Sequence, residues 1–195
     1  EGELFNQTKG QKYETIVIDE MRRAIEPFKD FVSYRKIKKL LRQLQPDIVH
    51  THSAKAGILG RYAGSALKGA LAPRRPAIVH GIHGLAFHPY QSRWINRIYI
   101  AIEKAAAKHT DYFVSVADAM TDQCKAAGIG VDKPYVTAYS AIDEEQFLEP
   151  IPAERTRAFR RQYDIADDAV VLVTIARLFM LKGHDYIIAS APELA

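Results

Sequence analysis

Two basic residues that follow an apolar segment are the first candidates for chemistry in this sequence. Arg177 and Lys182 lie between the β-branched segment 169–175 and a helix predicted to begin near Gly183. Guanidinium groups and the free N–H groups of a helix N-terminus both bind bridging phosphate oxygens. An Arg and a Lys at this spacing are also typical of a surface charge pair. Their position at the carboxyl end of a predicted buried strand favours an anion site, and a diphosphate is its natural occupant.

Histidines at two predicted strand ends are the second group of candidates. Residues 46–60, PDIVHTHSAKAGILG, predict a buried strand, a polar loop and the start of a helix in immediate succession. Because side chains alternate along a strand, His50 and His52 share one face, and Ser53 is placed to cap the helix. Both histidines therefore lead to the carboxyl edge of the predicted sheet, where ligands bind in open α/β sheets.

A second strand is predicted to end in the sequence HGIHGLAFHPY. There His83 lies between Gly81 and Gly84, so an imidazole can reach a ligand while the backbone comes close to it. His50 and His80 lie further back along their strands, and we predict that both are hydrogen-bonded core histidines.

Two other chemistries fit these residues less well. Histidines at the short spacing of HTH and HGIH can bind zinc, but no Cys or carboxylate lies nearby in the sequence to complete such a site. We therefore predict no metal site. Ser115 and Ser140 do not lie in the Gly-x-Ser-x-Gly turn that presents a serine nucleophile.

The elements that must position these residues alternate between strands and helices, which predicts an α/β fold with parallel strands. Strands are predicted at 13–18, at 48–49 continuing to the histidines, and at 77–80, 111–116, 134–138 and 169–175. Helices are predicted at about 30–44, 55–67, 94–109 and 118–128, and from about 183 onwards. The polar and acidic segment 139–152 is interpreted as a linker, so we expect two domains.

Composition limits the possible functions. The chain has 195 residues, of which 48% are hydrophobic and 26% charged, as in soluble globular proteins. Its net charge of +4 is a mild excess, which argues against a dedicated nucleic-acid-binding protein, and we predict no nucleic-acid partner. A single cysteine, Cys124, excludes an internal disulfide and favours a reducing compartment. Because no uninterrupted apolar run is long enough to span a bilayer, we expect a cytoplasmic protein.

The helix predicted at 30–44 is strongly basic. Its cationic residues are Arg35, Lys36, Lys38, Lys39 and Arg42. Such a helix is typical of an ordinary solvated face. Peripheral contact with anionic lipid head groups at the inner membrane face is the alternative.

Several segments resemble glycosyltransferase family 4. TIARLFMLKGHDYIIASA resembles the family's R-L-x-x-x-K-G element, and IVHGIHGLAFHPYQ resembles its histidine-glycine loop. PDIVHTHSAKAGILGRYAG resembles a segment of the acceptor domain, while DYFVSVADAM and YSAIDEEQF resemble the strand and crossover that lead into the donor domain. The matches occur in the family's order and span about residues 2–191.

The resemblance implies the GT-B architecture, in which two Rossmann-like domains face each other across a cleft that holds the active site. Residues 1–145 are then an acceptor-side domain without its first strand, and 146–195 are the linker and the start of the nucleotide-sugar donor domain. We expect a fragment that is inactive by itself, because the family's glycine-rich loop would precede Glu1 and its paired glutamates would follow Ala195.

The resemblance also implies residue roles and a reaction. The donor diphosphate is bound by Arg177, Lys182 and Gly183, the catalytic residue is His83, and the acceptor-side loop contains His52, Ser53 and Gly84. The reaction is a retaining, metal-independent transfer of a hexosyl group from a nucleotide-diphosphate sugar to a hydroxyl of a glycan or lipid-linked acceptor. The nucleotide sugar is a co-substrate, and no cofactor is expected.

Two other interpretations remain open. A nucleotide-sugar epimerase of the same architecture uses similar phosphate contacts, but it needs carboxylates placed at the sugar. A non-catalytic nucleotide-binding module is the alternative from a different class.

Overall fold

A computed structural model describes residues 8, 10, 12–22, 24–67 and 75–194, and the fold is α/β as predicted. In chain order the elements are α1 (Pro27–Leu44), β1 (Ile48–His52), α2 (Ala54–Ser65), β2 (Ala77–Ile82), α3 (Arg93–Ala107), β3 (Tyr112–Ser115), α4 (Asp118–Ala126), β4 (Tyr135–Thr137), α5 (Glu145–Leu148), α6 (Ala153–Gln162) and α7 (His184–Leu194). A 3₁₀ turn covers Met180–Lys182. The chain divides into two compact units, unit 1 up to Tyr139 and unit 2 from Ser140. The boundary predicted between residues 145 and 146, and the roles given to the two domains, stay predictions.

Unit 1 contains a four-stranded parallel sheet with the strand order β1-β2-β3-β4, which confirms the predicted parallel sheet. Each crossover moves by one strand in the same direction. Because β-α-β crossovers are right-handed, this order places the connecting helices α2, α3 and α4 on one face of the sheet. Unit 1 is therefore Rossmann-like, with the helices of the β1–β4 crossovers on one side.

Close packing of α2 on this covered face depends on glycines. A Cβ atom added at Gly57 would lie 2.5 Å from the His80 ring, and one added at Gly60 would lie 2.7 Å from Thr51 Cγ2. Since real Cβ atoms do not approach other atoms so closely, the helix can only lie at this distance without side chains there. The close approach of α2 to the sheet therefore depends on glycine at these two positions.

A buried ion pair between α2 and α3 and an aromatic stack between β3 and β4 add to the packing of unit 1. Arg61 of α2 is fully buried and donates hydrogen bonds to Glu103 Oε2 at 2.7 Å and to the Gly57 carbonyl at 3.1 Å. Phe113 of β3 is buried and stacks on Tyr135 of β4 with ring centroids 4.6 Å apart. The Arg61 charge thus has a carboxylate partner, as a buried guanidinium requires.

The opposite face of the sheet is open to solvent at several positions. Its exposed residues are Ile48, His50, His52, Tyr112 and Val136. Alternation along β1 explains the difference, because Val49 and Thr51 are buried while the residues on either side of them are exposed. Two of the histidines singled out from the sequence therefore lie on the open face.

Two predicted strands are wrong. Residues 13–18 and 169–175 form no strand, and no strand is present in the described part of unit 2. Val170 and Ile175 are 89% and 95% exposed, so the apolar segment is not a buried central strand here. A strand exists only where a neighbouring strand accepts and donates its backbone hydrogen bonds, and within the described ranges neither segment has one.

The start of α1 also differs from its prediction. The helix was predicted to begin at about residue 30, but α1 begins at Pro27, where a fixed φ and a missing N–H are tolerated. Asp30 instead accepts a hydrogen bond from the Glu26 backbone N–H at 3.1 Å and forms an ion pair with Lys55. Among the described helices, none is both long and apolar enough to cross a bilayer.

A prediction on stability concerns Asp111, which joins β2 to β3. Its carboxylate accepts two hydrogen bonds from Arg75, at 2.7 and 2.5 Å, and one from the Ile78 N–H at 2.8 Å. The hydrogen bonds from Arg75 hold the pKa of Asp111 below its usual value. We expect Asp111→Asn to lower the free energy of unfolding by about 1–2 kcal/mol at pH 7, as measured by urea denaturation.

The difference in free energy of unfolding between wild type and Asp111→Asn should shrink as the pH falls through the lowered pKa of Asp111, because a protonated carboxyl group no longer pairs with Arg75. Asp132→Asn is the matched control, since Asp132 is exposed and lies 4.0 Å from Lys133. Equal losses of unfolding free energy in Asp111→Asn and Asp132→Asn would contradict the stabilising role assigned to the pair of Asp111 with Arg75.

Candidate active site

The carboxyl ends of β1 and β2 bring two of the predicted site residues together. His52 ends β1 and His83 follows directly after β2, and the two strands are neighbours in the sheet. His52 Nδ1 lies 2.7 Å from His83 Nε2, which is a hydrogen-bond distance, and both rings are exposed. The structure thus joins a residue predicted for the acceptor-side loop to the predicted catalytic histidine.

The two core-histidine predictions have opposite outcomes. His80 is buried, with Nδ1 at 2.9 Å from Thr51 Oγ1, so its prediction is confirmed. The prediction for His50 is wrong, because His50 is exposed and its ring centroid lies 4.2 Å from that of His52. Alternation in β1 places His50 on the same face as His52, and that face is the open one.

Burial and neighbouring charges lower the pKa of His52 and of His80. Burial is the main cause that lowers the pKa of His80 to about 3, and the nearby Arg61 charge adds to it. Burial also lowers the pKa of His52, and repulsion from His50 and His83 acts in the same direction. At neutral pH His52 and His80 therefore act as hydrogen-bonding groups rather than as cations.

Ser53 and Gly84, the other residues predicted for the acceptor-side loop, line one cavity. The cavity has a volume of about 30 Å³, and His80 and Glu103 also contribute to its wall. It has room for about two water molecules. Ser53 occupies the N-cap position of α2 as predicted, but its side chain makes no capping hydrogen bond.

The Ser53 backbone is in a conformation that normally requires glycine. Its φ is +61° and its ψ is 164°. Non-glycine residues in this region store about 1–3 kcal/mol of strain and occur preferentially at functional sites. The strain lies directly beside His52, at the junction between β1 and α2.

The predicted diphosphate-binding residues lie in unit 2, in a loop that folds back on itself. The 3₁₀ turn Met180–Lys182 is followed by Gly183, with φ +70°, and α7 begins at His184, close to the predicted start. Arg177 and Lys182 are both exposed. Their binding of a diphosphate stays a prediction.

His184, which is not among the predicted site residues, makes a structural contact in this loop. Its Nε2 lies 2.9 Å from the Arg177 carbonyl oxygen, so the ring N–H donates a hydrogen bond across the loop. Because the first residue of α7 is thereby tied to residue 177, the two ends of the loop are held together. The available signal was its position directly after Lys182-Gly183.

Comparison with known proteins establishes the family. The fold and the site together define a class of protein, namely a Rossmann-like α/β unit with histidines at adjacent strand ends. Residues 7–146 match the model of Glycosyltransferase Family 4. The chain belongs to this family, as the sequence resemblance predicted.

Three curated relatives match part of the chain. The UDP-Gal:alpha-D-GlcNAc-diphosphoundecaprenol alpha-1,3-galactosyltransferase of Escherichia coli is 37% identical over 130 residues, which cover 66% of this chain and 32% of that protein. EpsD of Bacillus subtilis (strain 168) is 26% identical, with 83% and 41% covered. An uncharacterized 41.2 kDa protein in the cps region of Klebsiella pneumoniae is 25% identical, with 78% and 40% covered. The chain thus spans 32–41% of the length of these relatives.

The strained backbone at Ser53 gives a second testable prediction. We expect Ser53→Gly to raise the free energy of unfolding by about 1 kcal/mol, because glycine removes the strain. Part of this stabilisation is offset by the larger conformational entropy of glycine in the unfolded chain. Ser53→Ala is the control that removes the hydroxyl and keeps the Cβ atom. Urea denaturation of both variants is the measurement. If Ser53→Ala is as stable as Ser53→Gly, the claim that the backbone at Ser53 is strained is rejected.

Proposed function

We propose that the protein is a glycosyltransferase that moves a hexosyl group from a nucleotide-diphosphate sugar to a hydroxyl of a glycan or lipid-linked acceptor. The proposal includes retention of the anomeric configuration and no requirement for a metal ion. Family membership over residues 7–146 is the observation that carries it. The name of the Escherichia coli relative, with a UDP-linked sugar as donor and a diphosphoundecaprenol-linked sugar as acceptor, supports a lipid-linked acceptor.

The donor diphosphate is assigned to the loop that ends at α7. As the bond between the sugar and the diphosphate lengthens, negative charge develops on the leaving phosphate oxygens. The guanidinium of Arg177, the ammonium of Lys182 and the N–H groups at the start of α7 then stabilise the transition state more than the ground state. These cations carry out the neutralisation for which other enzymes use a divalent ion. The hydrogen bond from His184 to the Arg177 carbonyl supports the assignment, because it keeps this loop folded before the donor arrives.

His83 is assigned to the transferred sugar and its phosphate. The position directly after β2 supports this assignment, since a strand's carboxyl end is where an open α/β sheet presents ligand-binding groups. The two nitrogens of an imidazole ring can donate and accept hydrogen bonds, which suits contacts with sugar hydroxyls and phosphate oxygens. His52, Ser53 and Gly84 are assigned to the acceptor side of the same edge.

Helix α1 is assigned a peripheral contact with the cytoplasmic face of a membrane. Its exposed Phe28 and Phe31 lie on the same helix as the five cationic residues named above. The Arg35 guanidinium lies 6.0 Å from the centre of the Phe31 ring. Cationic groups next to exposed aromatic rings match a surface of anionic head groups over an apolar interior. A lipid-linked acceptor would lie in that same surface.

A test of the transfer reaction uses the complete gene product with a labelled nucleotide sugar and a lipid-linked acceptor. We expect Arg177→Ala and Lys182→Ala each to lower kcat by roughly 10²–10³-fold, as loss of an oxyanion-stabilising donor does. Arg157→Ala is the control, because Arg157 is an exposed cation of α6 in the same unit. Unchanged turnover in Arg177→Ala would reject the assignment of Arg177 to the donor diphosphate. A product in which the sugar is altered but still attached to its nucleotide would identify an epimerase.

The membrane assignment is tested by flotation with phosphatidylcholine vesicles that contain or lack phosphatidylglycerol. We expect binding only to the anionic vesicles, and we expect Lys39→Glu combined with Arg42→Glu to weaken it at least about tenfold, since each cation near the surface contributes about 1 kcal/mol. Lys108→Glu, an exposed position at the end of α3, is the control. Equal binding to both kinds of vesicle would remove this contact from the proposal.

A further inference from the structure

Three imidazole rings form a row on the open face of the sheet. The centroids of His50 and His52 are 4.2 Å apart, and those of His52 and His83 are 5.0 Å apart. We call His50, His52 and His83 the histidine row. His52, the middle member, contacts both neighbours, and the proposed function does not use its contact with His83.

The contact between His52 and His83 constrains where protons lie. Two ring nitrogens 2.7 Å apart form a hydrogen bond only when one carries a proton and the other presents its lone pair. If His52 Nδ1–H donates, His83 accepts at Nε2 and carries its own proton at Nδ1. If His83 donates from Nε2, its Nδ1 is left as an acceptor. In both arrangements the tautomers of the two rings are coupled, because the nitrogen that donates in one ring requires a lone pair on the other.

We infer that His52 is a positioning residue for His83. Its Nδ1–Nε2 hydrogen bond holds the His83 ring and couples the tautomer of His83, and so the group that His83 Nδ1 presents to the sugar donor, to the tautomer of His52. The inference rests on the proposed function, because it assumes that His83 contacts the donor. This positioning role acts through His83 and comes in addition to the acceptor-side role assigned to His52 above.

Gly81 provides the space in which this pair forms. It is the residue of β2 that lies opposite His52 in the parallel register. A Cβ atom added at Gly81 would lie 2.5 Å from His52 Nδ1, 2.8 Å from His52 Cε1 and 3.3 Å from His50 Nε2. Gly81 is not among the residues with positive φ, so its backbone conformation suits any residue. The requirement for glycine therefore comes from the imidazole rings of the row.

The lowered pKa of His52 fits this role, because a neutral ring keeps one lone pair and one N–H. A doubly protonated pair would have no acceptor nitrogen between the two rings.

The first arm of the test measures tautomers in the 195-residue chain by ¹⁵N–¹H correlation spectroscopy of the histidine rings. In the wild type we expect His83 Nε2 to be hydrogen-bonded and both rings of the pair to carry their proton at the same-named nitrogen, either Nδ1 or Nε2, because one ring must donate and the other accept. Gly81→Ala retains all three histidines but displaces His52, so His83 should change to the tautomer mixture of a free imidazole. Gly64→Ala is the control, since an added methyl group there meets the Ile78 side chain at 3.2 Å on the covered face of the sheet and should leave the His83 signals unchanged.

The second arm measures kinetics in the complete gene product. We expect His52→Phe to lower kcat by up to about a hundredfold, with the donor KM nearly unchanged, because the reacting geometry is lost rather than the binding contacts. His52→Gln should recover part of the rate, since an amide can still donate to or accept from His83 Nε2.

The two arms distinguish failure of this inference from failure of the proposed function. Full turnover in His83→Phe would reject the role of His83 at the donor, whatever the tautomer measurement shows. If His83→Phe is inactive but the His83 tautomer is the same in wild type, Gly81→Ala and His52→Phe, the positioning role of His52 is overturned.

Discussion

The parallel register between β1 and β2 is the constraint on which the candidate site depends. It pairs Val49 with Ile78 beneath α2 and His52 with Gly81 on the open face. A slip of one residue would turn every side chain of β1 to the opposite face, so His50 and His52 would meet the glycines of α2. The apolar contacts under the helix thus determine where the imidazoles lie. Burial of Val49 and Ile78 in the core and the position of the histidine row are two results of one pairing.

The two units contribute different kinds of chemistry to the proposed reaction. Unit 1 presents imidazoles, and burial and mutual repulsion hold the pKa of His52 below its usual value. Unit 2 presents the permanent charge of Arg177 together with Lys182, in a loop tied by His184. Neutral groups suit the orientation of a sugar, whereas cations suit a leaving diphosphate. The division follows from where each group lies, at adjacent strand ends in one case and before a helix N-terminus in the other.

Local sequence patterns predicted what depends on local structure. The period of two placed His50 and His52 on one face, as the structure confirms. Which face of the sheet is open could not be predicted, because it depends on the direction of three crossovers, and this is why His50 was misplaced. The bond between His52 and His83 joins residues 31 positions apart, and it requires a register that no single segment contains. Residues 169–175 have the composition of a strand, but composition does not supply a pairing partner.

The apolar segment 169–175 also has a consequence for the behaviour of the chain in solution. Its valine and isoleucine side chains are exposed, and its backbone groups lack the partners of a sheet ladder in the described part of unit 2. Such a segment is a template on which the same segment of another copy can pair. Self-association that increases with concentration is the expected result, so the solubility of the 195-residue chain is set by this short segment rather than by the stability of the folded sheet.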